Sequence, residues 1–281
     1  MFWRKKSNGA FNPEIAEKNY QAVAVTDTGN SRLHNEDAVR FIRPANARTR
    51  QNMGYLAIVA DGMGGHASGE VASSNAIETI SDLYYNSHRK PLKALRIAGE
   101  KANEEIWELA SHDKKLRGMG TTCTAAAIIG DKIYLLHIGD SRAYLYKKGR
   151  AIQLTEDHTY VQQLLNAGEI TPFEARNHPD GNILTKSLGT AKKRACDIFV
   201  SDQKFEEGDK LLLCSDGLYE YFSTQELAGF LAGENLGQIS QKLSASVLDR
   251  GAHDNFTILL VEARNEVKGK NLPTRAITVE L

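Results

Sequence analysis

Acidic residues recur in this sequence at the ends of apolar runs. Asp61 follows Ile58-Val59-Ala60 and leads into Gly62-Met63-Gly64-Gly65-His66, Glu36-Asp37 opens DAVRFI (37–42), Asp140 closes HIGD (137–140), Asp216 closes KLLLCSD (210–216), and Asp254 starts the run that continues through NFTILLVEA (255–263). Side chains at strand ends can converge although far apart in sequence. Two bare carboxylates about 4 Å apart repel by roughly 4 kcal/mol at an effective dielectric near 20, so convergence calls for cations. Oxygen-only donors of this kind select Mg²⁺, Mn²⁺ or Ca²⁺ over zinc. Taken singly, an Asp-Gly pair at a strand end also reads as a simple turn.

The strand–glycine–helix context of Gly62-x-Gly64-x-x-Ala67 matches a dinucleotide-binding fingerprint in form. Asp61 counts against it, because a carboxylate beside the first glycine repels a pyrophosphate. The acid about 20 residues on, Asp82, lies on a helical stretch instead of ending a second strand. A divalent cation between carboxylate and phosphate reverses the electrostatic objection, since it binds both.

The elements that must position these groups are legible as apolar runs rich in β-branched and aromatic residues: 21–26, 37–42, 55–61, 122–129, 132–140, 143–148, 196–202, 210–216 and 255–263. Helical spacing appears at Leu92, Leu95, Ala98, Ala102, Ile106 and Leu109, and at Leu236, Ile239, Leu243 and Val247. A third helix spans Gly69 to Tyr85, with Val71, Ile77, Ile80 and Leu83 or Tyr84 facing inward. Gly130-Asp131 and Lys148-Gly149 mark hairpins. Local antiparallel pairing and helices in pairs predict an α+β fold, a sandwich of sheets covered by helices.

The chain has 281 residues, of which 25% are charged and 41% hydrophobic, and 35 basic residues balance 35 acidic ones. That composition excludes disorder and collagen, and a net charge of zero draws the chain to neither nucleic acid nor an anionic membrane. Cys123, Cys196 and Cys214 are odd in number and lack C-x-x-C spacing, which fits a reducing compartment and no zinc knuckle. No apolar run of membrane-spanning length occurs, so the expectation is a cytoplasmic protein without membrane insertion. Cys214 lies beside Asp216, but with no C-x₅-R loop it reads as a strand thiol. The long polar stretch 156–194, with helical pieces near 161–166 and 172–176, reads as a surface subdomain or flap, longer than most loops and of the kind that often serves function. An N-terminal extension (1–19) and a C-terminal tail (264–281) flank one domain over 20–263.

Six motifs, RLHNEDA (32–38), VADGMGG (59–65), GMGTT (118–122), GDSR (139–142), SDGL (215–218) and DN-x-T (254–257), stand in an order that resembles the metal-dependent serine/threonine protein phosphatases of type 2C, in their bacterial branch. The resemblance covers roughly residues 20–263. It implies two antiparallel sheets packed face to face between helix pairs, with a metal site at one edge. It makes Asp37, Asp61, Asp216 and Asp254 metal-binding carboxylates and Gly62 a ligand through its carbonyl. Glu36 would hold a water at the metal, Arg32 would bind the substrate phosphate, and Asp140 would serve a third, weaker site. Two Mn²⁺ or Mg²⁺ ions, with a possible third, would share a bridging water that attacks a phosphoserine or phosphothreonine ester.

Eukaryotic members commonly carry His where Met63 stands, whereas similar bacterial members also have Met. Methionine donates no proton, and His34 and His66 read as surface or helix-start residues. The glycines of GMGTT read as structural, since no P-loop Lys-Ser/Thr follows. Phosphorylated proteins are the implied partners, together with a serine/threonine kinase whose work the enzyme, as a monomer, would reverse. A phosphatase-like binding module and a nucleotide-binding protein are the alternatives at this point.

Overall fold

A computed structural model describes residues 19–64, 67–176 and 178–264. The expected extension and tail therefore lie, apart from Asn19 and Arg264, outside the described residues. Eleven strands occur among the described residues: β1 (Asn19–Asp27), β2 (Asp37–Ile42), β3 (Tyr55–Met63), β4 (Gly120–Thr121), β5 (Cys123–Ile129), β6 (Lys132–Ile138), β7 (Arg142–Lys147), β8 (Arg150–Gln153), β9 (Asp197–Val200), β10 (Lys210–Cys214) and β11 (Phe256–Arg264). Between them run α1 (Ala47–Met53), α2 (Ala67–Asn86), α3 (Pro91–His112), α4 (Tyr160–Ala167), α5 (Pro172–Ala175), α6 (Asp216–Tyr219), α7 (Thr224–Leu231) and α8 (Leu236–Asp249).

The strands form two antiparallel sheets, β1-β11-β10-β7-β8 and β2-β3-β5-β6-β9, with β4 paired to the end of β3. Strand pleating sends successive side chains to opposite faces, and here both faces are buried. Tyr55, Ala57 and Val59 of β3 meet Leu259, Val261 and Ala263 of β11 in the core between the sheets. Leu56, Ile58 and Ala60 point the other way, onto Ala76, Ile80, Leu95 and Ala102 of α2 and α3. On the far side Ile258 and Leu260 of β11 pack against Leu243 and Val247 of α8. Three cores thus separate four layers in the order helix, sheet, sheet, helix, as the sequence predicts. Each fully buried Leu, Ile or Phe contributes about 1.5–3 kcal/mol, which is what holds the strand ends in fixed relation.

Local chemistry accounts for the connections. Lys148 and Gly149 both have positive φ, as a two-residue hairpin with a right-handed strand twist requires. Pro91 begins α3, where a missing N–H costs nothing. Ser223 and Glu226 make a reciprocal capping box on α7.

Several expectations need correction. Val71 is exposed, and the inward stripe of α2 is Ala72, Ala76, Ile77, Ile80 and Tyr84. Spacing of three and four puts Tyr84 on the stripe with Ile80, and its hydroxyl donates to Met53 O (2.6 Å). Leu109, beyond Ile106 on α3, is likewise exposed. Asp61 does not end its strand, because Gly62 and Met63 go on to pair with Thr121 and Gly120. Asp216 opens α6, and Asp140 and Asp254 sit in the turns next to β6 and β11.

Candidate metal centre and active site

One end of the sandwich gathers the acidic residues. Asp37 and Asp61 are direct partners across β2 and β3 in one sheet. Asp216 and Asp254 stand next to β10 and β11 in the other. The cleft where they meet has a volume of about 520 Å³, and Arg32, Glu36, Asp61, Asp140, Asp216 and Asp254 are among its lining residues. Asp37 lies beneath it, 3% exposed.

Each carboxylate is held by its neighbours. Asp37 Oδ2 accepts from Ser215 Oγ (2.6 Å) and Thr257 Oγ1 (2.7 Å). Asp61 is fixed through its backbone, where its N–H donates to Thr122 Oγ1 (2.9 Å) and its carbonyl accepts from Thr121 Oγ1 (2.8 Å) and Thr122 N (2.9 Å). Asn255 receives Glu36 N–H on Oδ1 (2.8 Å) and donates to the carbonyls of Thr28 and His34, so one amide ties down the loop that carries Arg32. Arg32 Nη2 donates to Asp254 Oδ2 at 2.5 Å, with both side chains partly open to solvent. Behind Asp140, Arg142 makes a bidentate pair with Asp157 and stacks 3.6 Å from the centre of the Tyr219 ring.

Glycine sets the closest approach. A Cβ on Gly62 would stand 2.1 Å from Gly69 O, and one on Gly69 would stand 2.1 Å from Glu36 Oε2. The start of α2 therefore lies directly on the Gly62 backbone and under the Glu36 carboxylate. Neither glycine therefore tolerates a side chain, because protein atoms fill the space a Cβ would need. Gly120 plays the structural part expected of GMGTT, since a Cβ there would meet Leu188 O at 2.9 Å.

The electrostatics are those of a crowded anionic cluster. Burial raises the pKa of Asp37 to about 7, opposed by the two hydroxyl donors and reinforced by Asp216 and Asp254. Asp61 is pushed well above the usual carboxylate range by burial and then by Asp37, Asp216 and Asp140. Asp216 and Asp140 are raised for the same reason, burial first. Such groups either hold protons or share a cation.

The residues present fit a hard divalent cation. Asp37 Oδ1 is buried with no hydrogen-bond partner among the described residues, and a buried anionic oxygen without a partner is costly unless something positive meets it. Among the described residues the cleft lining holds no Cys or His, which leaves oxygen donors alone. Among the described residues no three acidic side chains close on a single point. They surround an open cleft instead, as suits ions such as Mg²⁺ that keep several waters.

The predicted site residues Arg32, Glu36, Asp37, Asp61, Gly62, Asp140, Asp216 and Asp254 thus come to one end of the fold. Met63 also lines the cleft, His34 is exposed, and His66 lies outside the described residues. Cys214 is fully buried on β10, where burial pushes its thiol far up, so it is no nucleophile. Not anticipated are the supporting hydroxyls of Ser215, Thr122 and Thr257 and the amide of Asn255, or that the cations Lys186 and Arg194 line the cleft.

A four-layer sandwich with an oxygen-lined acidic cleft at its edge defines a protein built for divalent-cation chemistry. The family model for protein phosphatase 2C matches residues 29–248. The chain is 38% identical to the serine/threonine phosphatase stp of Listeria monocytogenes over 259 residues, covering 88% of this chain and 97% of that one. The crystal structure of the serine/threonine phosphatase Stp1 from Staphylococcus aureus superposes with a TM-score of 0.78 at 31% identity, covering 95% of this chain and 100% of the other. The catalytic domain of the serine/threonine protein phosphatase PstP, solved with two manganese ions, gives 0.74 at 32% identity, with 88% and 99% covered. The chain belongs to the protein phosphatase 2C family.

Proposed function

We propose that this cleft hydrolyses phosphoserine and phosphothreonine esters on proteins, with Asp37, Asp61, Asp216, Asp254 and the Gly62 carbonyl holding two Mn²⁺ or Mg²⁺ ions and Asp140 serving a weaker third. The observation that carries the reading is the convergence of these carboxylates, with Asp37 Oδ1 buried and unpaired, at a rim where Arg32 already grips a carboxylate. Divalent ions bound there supply Lewis acidity and lower the pKa of water toward neutrality.

The chain's own groups do the rest. Arg32 offers a planar fork to two phosphoryl oxygens and exchanges its bond to Asp254 for one to substrate. Glu36, laid over Gly69, orients a water at the edge of the cluster. Met63 donates no proton, so the leaving serine or threonine oxygen takes its proton from solvent. A bacterial serine/threonine kinase, acting on the same proteins, is the enzyme this one would oppose, in the cytoplasm and as a monomer.

Phosphate release from a phosphothreonine peptide and a phosphotyrosine peptide, in Mn²⁺ and in excess EDTA, tests the reading. Turnover of the phosphothreonine peptide that EDTA abolishes is the expected result. Turnover that survives EDTA, or none in Mn²⁺, would overturn it.

A further inference from the structure

The cleft that holds the carboxylates is also lined by cations. Lys186 and Arg194, from the last part of the flap, line the same cavity as Asp61 and Asp216. Lys186 is already in the company of an acid, with Nζ 3.5 Å from Asp197 Oδ1. Arg194 has no hydrogen-bond or ion-pair partner among the described residues, and its Nε is buried without an acceptor. A guanidinium offers five donors and is always charged. One that lines a catalytic cleft with a buried N–H unmet is a donor set waiting for an anion.

The segment leading to Arg194 is fixed in place. Leu188 exchanges both backbone hydrogen bonds with Thr121 (2.8 and 3.1 Å), and Thr121 in turn holds the Asp61 carbonyl. Asn103, buried on α3, accepts from Gly189 N (3.0 Å) and donates to the carbonyls of Ala191 and Lys192. The residues before Arg194 are therefore tied to the catalytic strand on one side and to α3 on the other. Such a wall presents its cation at a set place relative to the metal carboxylates, as a specificity pocket requires.

We infer that Arg194, flanked by Lys186, forms a second anion subsite that takes an acidic group of the substrate protein near the scissile phosphate. This inference rests on the phosphatase reading above. The chemistry recognised is a carboxylate or a second phosphate. A substrate lacking such a group leaves Arg194 unpaired and gains nothing from it.

The test compares three phosphothreonine peptides, with neutral flanks, with glutamate flanks and with a neighbouring phosphoserine, alongside p-nitrophenyl phosphate. Wild type, Arg194→Gln and Arg194→Lys are assayed for turnover with Mn²⁺ and, separately, for peptide affinity in EDTA by fluorescence anisotropy. Arg194→Gln is expected to weaken binding and raise KM about tenfold for an acidic peptide, leaving the neutral peptide and p-nitrophenyl phosphate unchanged, with partial rescue by Arg194→Lys. Loss confined to the glutamate peptide assigns a carboxylate, and loss confined to the doubly phosphorylated one assigns a phosphate. An unchanged ratio of acidic to neutral affinity and KM in Arg194→Gln would overturn the subsite. Absence of turnover of every substrate by wild type would overturn the phosphatase reading instead, and the affinity ratios would still decide the role of Arg194.

Discussion

Ser215 Oγ donates to Asp37 Oδ2 at 2.6 Å, joining the two sheets at the floor of the cleft. Ser215 occupies the N-cap position of α6 yet makes no capping bond with its side chain, because its hydroxyl is committed to Asp37 and accepts from Thr257 N (3.0 Å). The helix cap is given up so that Asp37 and the adjacent Asp216 are held in register across the sandwich.

Ser215→Ala should therefore act on both stability and metal. It strips one of two donors from a buried carboxylate and orphans Thr257 N, a loss of about 1–3 kcal/mol in urea unfolding. Mn²⁺ affinity should fall about 10–100-fold, as for other residues that orient a ligand. Calorimetric titration beside the unfolding curve checks both.

Arg32→Ala should lower kcat/KM by about 10–100-fold, the value of one charge-assisted hydrogen-bonded contact. Mn²⁺ affinity should not weaken, since the substitution frees Asp254 Oδ2. Arg32→Lys should recover only part of the loss, because an ammonium lacks the fork. Weaker Mn²⁺ binding in Arg32→Ala would show a structural role for the pair instead.

His137, buried between the sheets, makes hydrogen bonds to Thr124 Oγ1 and Glu156 O and stacks on His158. Burial, and then His158, push its pKa down to about 3. Its contribution is whole above the unfolded value near 6.5 and is lost as pH falls from there toward about 3, by up to about 1.4 kcal/mol per pH unit. The stability difference between wild type and His137→Gln, measured by urea unfolding at pH 7.5, 6 and 5, should shrink as pH falls. A constant difference would contradict a neutral His137.

Asp37 has the opposite sign. With its folded pKa raised to about 7, its proton stabilises the fold fully below the unfolded value, and this is lost as pH rises through about 7. Added Mn²⁺ should therefore raise the melting temperature more at pH 7.5 than at pH 4.5. Thermal scans with Mn²⁺ and with EDTA at the two pH values measure this, and an equal rise at both would refute it.

Much of the fold is legible because its strands are buried on both faces and read as unbroken apolar runs, from Tyr55-Leu56-Ala57 to Ile258-Leu259-Leu260. What escapes is local or chemically ordinary. The capping signature Ser223-Thr224-Gln225-Glu226 announces α7 and could have found it. Val71 misleads because bulk suggests an inward position, whereas the helix buries the small Ala72 so that α3 can approach. The carboxylates are legible as a set through their motifs. Their supports are not, because nothing marks the hydroxyls of Ser215 and Thr257 as donors to Asp37 until residues 178 and 220 positions apart in sequence are brought together. Arg194 is invisible for the same reason, as one cation within a run of basic residues.

The measurement that bears most directly on the metal assignment is Mn²⁺ binding by calorimetry together with phosphothreonine-peptide hydrolysis, in wild type, Asp37→Asn and Asp216→Asn, with circular dichroism to verify folding. Wild type should bind two ions tightly and turn over peptide, and each folded variant should lose tight binding and activity together. A folded Asp216→Asn or Asp37→Asn protein that binds two ions and hydrolyses peptide like wild type would contradict the account.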